Sequence, residues 1–205
     1  MKLLIATRNP HKLEEMQQIL PAAGIQWVSA LDFPEIPDVI EDGKTLEANA
    51  IKKAVTLALA TGLYALADDT GLEVDALEGA PGVYSARYAG EPPDYAANNR
   101  KLLAELASKD SRSAQFRTVI ALSDPSGHAQ IVEGVCRGEI AESMSGTAGF
   151  GYDPLFVPEG ETRTFAEMSA DEKNRISHRG RALRAAMGAW GEQLIQLAAA
   201  EGRQQ

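Results

Sequence analysis

Short apolar runs alternate with helix-period segments along the first half of the chain, and a hairpin pattern follows in the second half. This order constrains the fold most, because strand–helix alternation packs as an α/β layer structure and a later hairpin makes its sheet mixed. Lys2 to Ala6 reads as a buried strand. After a turn at Asn9-Pro10, Leu13, Met16 and Leu20 recur at helical spacing, and Pro21 is the expected stop. Gln26 to Ser29 reads as a second strand, and Leu31 to Gly43, with two prolines and several acids, as a loop. Thr45 to Ala60 is rich in Ala and Leu and reads as a helix ending near Gly62. Leu63 to Ala67 is a third apolar strand, expected to end at Asp68-Asp69-Thr70-Gly71.

Gly79 to Gly90 reads as a loop and Asp94 to Ala107 as a helix. Gln115 to Leu122 and Gln130 to Arg137 form the hairpin, joined by the turn sequence Asp124-Pro125-Ser126-Gly127. Gly146 to Asp153 is a Gly-rich loop. Ser169 to Glu172 has the form of a capping box, opening a single long helix to about Ala200. The expected organisation is one domain over residues 1–205, and 205 residues bury enough surface to need no staples.

The formal charge of −9 disfavours a nucleic-acid polymer as partner. An acidic protein that binds an anionic small molecule must gather positive charge locally or recruit a metal. No apolar stretch approaches the roughly 20 residues of a membrane span, so no membrane partner is expected. The short N-terminal apolar run does not read as a signal peptide. With Cys136 as the one cysteine, no intrachain disulfide forms, and a cytoplasmic location is expected.

Five segments carry candidate chemistry. Thr7-Arg8-Asn9-Pro10-His11-Lys12 links a strand to a helix, where backbone N–H groups and the helix dipole favour an anion and Lys12 adds a full charge. The Walker glycines are absent, and the bland alternative is an ordinary strand-to-helix turn. Asp68 and Asp69 stand at a strand end, where carboxylates can hold magnesium or act as a base toward water. They converge on one site only if the chain turns at the Asp-Thr-Gly step; otherwise they close a strand as a polar turn. Glu41 and Asp42 precede a helix on which Asn49 and Lys53, four apart, share a face. A solvated acidic helix start accounts for the same residues.

Gly149-Phe150-Gly151-Tyr152-Asp153 can offer an aromatic face to a flat base and a carboxylate to a base N–H; a core-facing turn is the alternative. Lys173, Ser177, His178 and Arg179 crowd one helix region, as either carbonyl-directed donors or a charged surface. His128 reads as a solvated turn residue and Cys136 as an inert strand residue. No Cys/His spacing for zinc is present.

Taken in order, Thr7–Lys12, Glu41 to Lys53, Ala67 to Asp75, Gly79 to Tyr88, Phe150–Asp153 and Ser177 to Gly180 make the chain resemble the inosine triphosphate pyrophosphatase family, also called XTP/dITP diphosphatases. The resemblance covers nearly the whole chain. It implies an α/β fold with two lobes around a central, bent, mixed sheet, the nucleotide in a groove between them, and a homodimer. It implies that Thr7, Arg8, Asn9, Pro10, His11 and Lys12 hold the triphosphate, with Lys53 and Thr70 as further substrate contacts. Asp69 would be the general base and, with Glu41, a ligand of Mg2+. Phe150, Gly151, Tyr152, Asp153, Lys173, His178 and Arg179 would line the base pocket. The position matched to Thr70 is often serine in the family, and both offer one hydroxyl.

The implied reaction is hydrolysis of ITP, dITP or XTP to the monophosphate and pyrophosphate, which removes non-standard purines from the nucleotide pool. Polyanion cleavage needs charge neutralisation and an oriented water, and the basic and acidic residues above can supply both. Cationic donors near the purine 6-position would favour oxo bases over adenine, which carries an amino donor there. The alternatives are a pyrophosphatase for dTTP, UTP or modified pyrimidines, and a nucleotide sensor without turnover.

Overall fold

The computed structural model describes residues 1–20 and 24–201. Its elements in chain order are β1 (Lys2–Ile5), α1 (Pro10–Ile19), β2 (Gln26–Ser29), α2 (Leu46–Thr61), β3 (Tyr64–Val74), β4 (Pro81–Gly82), α3 (Tyr95–Leu106), β5 (Ser113–Ser123), β6 (Ala129–Ile140), β7 (Phe156–Pro158), α4 (Ala170–Ile176) and α5 (His178–Glu201). The expected stop for α1, Pro21, lies outside the described residues. The class is α/β, with one seven-stranded mixed sheet ordered β2-β1-β3-β5-β6-β7 and β4 paired to β3.

The chain divides into two compact units. Among the described residues, the first comprises residues 1–20, 24–69, 119–134 and 182–201, and the second residues 70–118 and 135–181. In the first unit β1 lies between β2 and β3 and runs parallel to both, with Leu4 opposite Val28 and Ala65. Leu3, Ile5, Met16, Leu66, Ile120, Leu183 and Trp190 form its core. α1 opens on Asn9, whose side chain accepts from the His11 and Lys12 amides, with Pro10 at the first helical position. α2 is capped by Thr45 and closes at Gly62 in the left-handed conformation.

In the second unit β4 and β7 add antiparallel pairs, with Leu72 opposite Gly82 and Ile140 opposite Phe156. Its core gathers Leu72, Val74, Leu102, Phe116, Leu155, Phe156 and Phe165. Neither β4 nor β7 was expected, since two- and three-residue strands are too short to show a period.

Two expectations about element ends are corrected. β3 does not stop at Ala67 but continues through Asp68-Asp69-Thr70-Gly71 to Val74. Gly71 serves close approach rather than a turn: a Cβ there would lie 2.6 Å from the carbonyl oxygen of Gly82 on β4. The C-terminal helix is two helices, broken at Ser177 with φ −68° and ψ 158°. Ser177 ends α4 by donating its N–H to Lys173 O at 2.8 Å and starts α5 by accepting from the Gly180 amide at 3.1 Å. Among the described residues, no helix is long and apolar enough to cross a membrane.

Candidate active site

In the first unit Asn49 and Lys53, with Glu41 beside Lys53, gather at Asp69. Its Oδ2 accepts from Asn49 Nδ2 at 3.1 Å, and its Oδ1 lies 3.7 Å from Lys53 Nζ. Lys53 also reaches Glu41 Oε1 at 3.0 Å and the Asp68 carbonyl oxygen at 2.6 Å. The i, i+4 spacing of Asn49 and Lys53 on α2 brings both to this one carboxylate. Asn49 also holds the preceding loop, accepting from the Gly43 amide at 2.8 Å. Asp68 takes a different partner, Lys12, whose Nζ stands 3.0 Å from its Oδ2. With the strand unbroken, the two carboxylates take different partners, Asp69 meeting Asn49 and Lys53 and Asp68 meeting Lys12.

Burial raises the pKa of the Asp69 carboxyl, and the opposing pull of Lys53, Lys12 and the Asn49 hydrogen bond does not fully offset it. At Lys53, burial works against the ammonium, but the carboxylates of Asp69, Asp68 and Glu41 outweigh it and hold the pKa above the usual lysine value. A carboxylate with raised proton affinity, held by an amide and an ammonium, can take a proton from water. Glu41, Asp68 and Asp69 present only oxygen donors, the set that hard divalent cations such as magnesium prefer. No group of three or more acidic, His or Cys side chains is drawn together as a metal cluster among the described residues. Lys53 faces the carboxylates of Glu41 and Asp69, and Lys12 that of Asp68.

The 7–12 segment divides. Thr7 Oγ1 accepts from the Asn9 amide at 3.1 Å, and Asn9 Oδ1 accepts from the His11 and Lys12 amides, so Thr7 and Asn9 order the start of α1. Pro10 and His11 are exposed there. Arg8 is held by the following loop, pairing with Asp38 at 3.0 Å and donating to the carbonyls of Phe33 and Ile36. Asp42 pairs with Lys52 at 2.6 Å rather than joining the Asp69 cluster.

The second unit gathers the remaining candidates around Phe150. Lys173 Nζ lies 5.2 Å and Arg179 Cζ 5.7 Å from its ring centroid, within cation–π range. Asp153 Oδ2 accepts from Lys173 Nζ at 2.7 Å and from the Phe150 amide at 2.8 Å. Gly149 has φ +73°, and a Cβ there would sit 2.0 Å from that same Asp153 oxygen, so only glycine fits the tight loop. The loop is tied down twice more, by Tyr152 OH donating to Ser85 O at 2.9 Å and Asn99 Nδ2 donating to Gly151 O at 2.9 Å. His178 stacks on Phe116 with centroids 4.4 Å apart and planes 16° apart. Arg179, only 2% exposed, donates to Thr70 Oγ1 at 3.2 Å, and Thr70 in turn meets Thr118 Oγ1 at 2.7 Å.

Sequence reading missed Ser85, Asn99, Phe116 and Thr118. The strand period on β5 placed Phe116 and Thr118 on one face, but nothing in the sequence named their partners. Ser85 lies in the segment Gly79 to Tyr88, singled out without a role. Its hydroxyl accepts from the Leu72 amide at 2.9 Å, joining that segment to β3.

The chain is similar to known proteins over most of its length. The profile of the Ham1 family matches residues 3–189. The chain is 53% identical over 189 residues to the dITP/XTP pyrophosphatase of Desulforamulus reducens, covering 91% of this chain and 94% of that protein. It is 51% identical over 188 residues to the dITP/XTP pyrophosphatase of Streptomyces coelicolor, covering 90% and 94%. Among solved structures it is similar to a HAM1 protein from Coxiella burnetii, with a TM-score of 0.86, 43% identity and coverage of 94% and 99%. It is also similar to a nucleoside-triphosphatase / dITP/XTP pyrophosphatase from Mycobacterium abscessus, with a TM-score of 0.76, 48% identity and coverage of 91% and 99%.

Proposed function

The chain belongs to the Ham1 family, and from that premise we propose that it hydrolyses non-standard purine nucleoside triphosphates (ITP, dITP and XTP) to the monophosphate and pyrophosphate. The observation that carries the reading is the environment of Asp69, a buried carboxylate held by Asn49 and faced by Lys53. Asp69 acts as general base, taking a proton from the water whose oxygen bonds to the α-phosphorus as the bond to the pyrophosphate oxygen breaks. Lys12 and Lys53 supply positive charge for the phosphate chain, and Thr7 and Asn9 shape the turn that presents it.

The all-oxygen donor set fits magnesium, with Glu41 and Asp69 as the residues that would hold it. Bound there, the ion would neutralise charge on the phosphate oxygens. Phe150 offers a face for the purine, and Lys173, His178 and Arg179 donate to its polar edge. Tyr152, Gly151 and Asp153 keep Phe150 in place. Residues 1–205 act as one catalytic domain, and the family resemblance supports a homodimer, which light scattering checks. The buried Cys136 suits a cytoplasmic setting.

The test is a panel of nucleoside triphosphates with both phosphate and pyrophosphate quantified. ITP should give IMP and pyrophosphate with no IDP appearing first. Transient IDP with orthophosphate would replace this reading with stepwise phosphatase chemistry, and binding without turnover would replace it with a sensor.

A further inference from the structure

We infer that one face of strand β5 sets base selectivity: Phe116 seats the His178 imidazole, and Thr118, acting through Thr70, fixes the Arg179 guanidinium. This rests on the proposal above that His178 and Arg179 read the purine edge. Phe116 and Thr118 are two residues apart on a strand, so their side chains leave the same face. Both are buried, Phe116 at 6% exposure and Thr118 at 0%.

The two contacts are independent of each other. Phe116 lies nearly parallel to His178 at 4.4 Å and is itself wedged edge-on against Phe156, with centroids 4.8 Å apart. The imidazole therefore rests on a ring that is itself packed against a second ring. Thr70 Oγ1 accepts from Arg179 Nη2, and a hydroxyl has one proton and two lone pairs to place. Thr118 Oγ1, 2.7 Å away, supplies the second partner, whichever of the two threonines donates. Without it the Thr70 hydroxyl loses one of the contacts that align it as an acceptor for Arg179.

Separate supports are needed because His178 and Arg179 are consecutive at the start of α5, where successive side chains diverge by about 100°. Phe116 meets the imidazole, and Thr70 meets the guanidinium. A recognition group held to within about 0.5 Å needs such backing. Thr118 and Phe116 are positioning residues: they act on the base only through the side chains they orient.

The experiment is kcat/KM for ITP and ATP in wild type, Thr118→Val, Thr118→Ser and Phe116→Leu, with Tm recorded for each. Thr118→Val keeps the shape and removes the hydroxyl. It should lower the ITP-to-ATP ratio about two- to tenfold, the effect of one hydrogen bond, whereas Thr118→Ser should restore it. Phe116→Leu keeps an apolar side chain and removes the flat seat, so the ratio should fall there too. Should Thr118→Val fail to fold, Thr118→Ala and Phe116→Leu carry the same ratio test. An unchanged ratio, or equal losses on both substrates, overturns the inference and leaves the hydrolase reading intact. Wild type that does not prefer ITP overturns the base-recognition reading and this inference with it, a result read from wild type alone.

Discussion

Asp153 Oδ2 accepts from Lys173 Nζ at 2.7 Å, with both side chains almost wholly enclosed. The same oxygen receives the Phe150 amide, so one carboxylate joins the aromatic loop to helix α4. This relationship gives Asp153 a structural task, holding Phe150 and Lys173 together.

Asp153→Ala should therefore act on stability first. Removing one member of a buried ion pair strands the other charge and costs about 3–5 kcal/mol. Asp153→Asn keeps the shape and an acceptor for the Phe150 amide and should lose less. Urea denaturation of both variants measures the difference, and equal stability of Asp153→Ala and wild type would contradict the clamp.

Asp69→Asn should act on turnover instead. Without a general base, kcat should fall by about 10²–10⁴-fold. The fold should persist, because Lys53 keeps Glu41 at 3.0 Å and the Asp68 carbonyl at 2.6 Å. Chelation of divalent cations should abolish wild-type turnover, and added magnesium should restore it. Steady-state rates with and without chelator check both points; near-normal activity of Asp69→Asn removes Asp69 from the role.

Glu172 gives the chain an acid-sensitive support. It completes the capping box of α4 by accepting from the Ser169 amide at 2.8 Å, and α4 carries Lys173. That amide, then Arg163 and the Ser169 hydroxyl, hold its carboxyl well below the usual glutamate value, at about 2. A depressed carboxyl pKa stabilises the fold above the unfolded value and stops doing so as pH falls through the folded one. The Tm advantage of wild type over Glu172→Gln should thus be steady at neutral pH and shrink from about pH 4.5 downward toward 2. A Tm difference that stays constant across that range would show that the charge contributes nothing. Ser169→Ala, removing the N-cap hydroxyl, should cost about 1 kcal/mol.

Local signals carried the sequence reading a long way. Asn9-Pro10 announced α1, Thr45 and Gly62 bracketed α2, and the Asp124-Pro-Ser-Gly turn joined β5 to β6, because caps and turns depend on residues adjacent in sequence. Asn49 and Lys53 could be paired through helix geometry alone. Through-space partners were illegible. Nothing local to Thr118 points to Thr70, 48 residues away, and nothing local to Tyr152 points to the Ser85 carbonyl. The continuation of β3 past Gly71 was hidden for the same reason, since it depends on the approach of Gly82. The break at Ser177 was hidden because no Gly or Pro between 169 and 179 marks it, although the Ser177 hydroxyl can cap.

Phe150 and Arg179 should separate in their effects on base choice. Stacking on an aromatic ring is worth about 1–3 kcal/mol per base and is indifferent to base identity. Phe150→Ala should therefore weaken ITP, GTP and ATP alike and leave the ITP-to-ATP ratio of kcat/KM nearly unchanged. Arg179 keeps its Thr70 partner at 3.2 Å when the ring is gone, so the donor stays in place. Arg179→Ala removes a donor that a 6-oxo base can use and adenine cannot. It should penalise ITP and XTP more than ATP and narrow the ratio. Truncation leaves Thr70 its contact with Thr118. The measurement is kcat/KM for ITP, XTP and ATP in wild type and both variants under saturating magnesium. If Arg179→Ala lowers every substrate by one common factor, the guanidinium serves the phosphates or the fold, and selectivity for the oxo bases must come from Lys173 and His178.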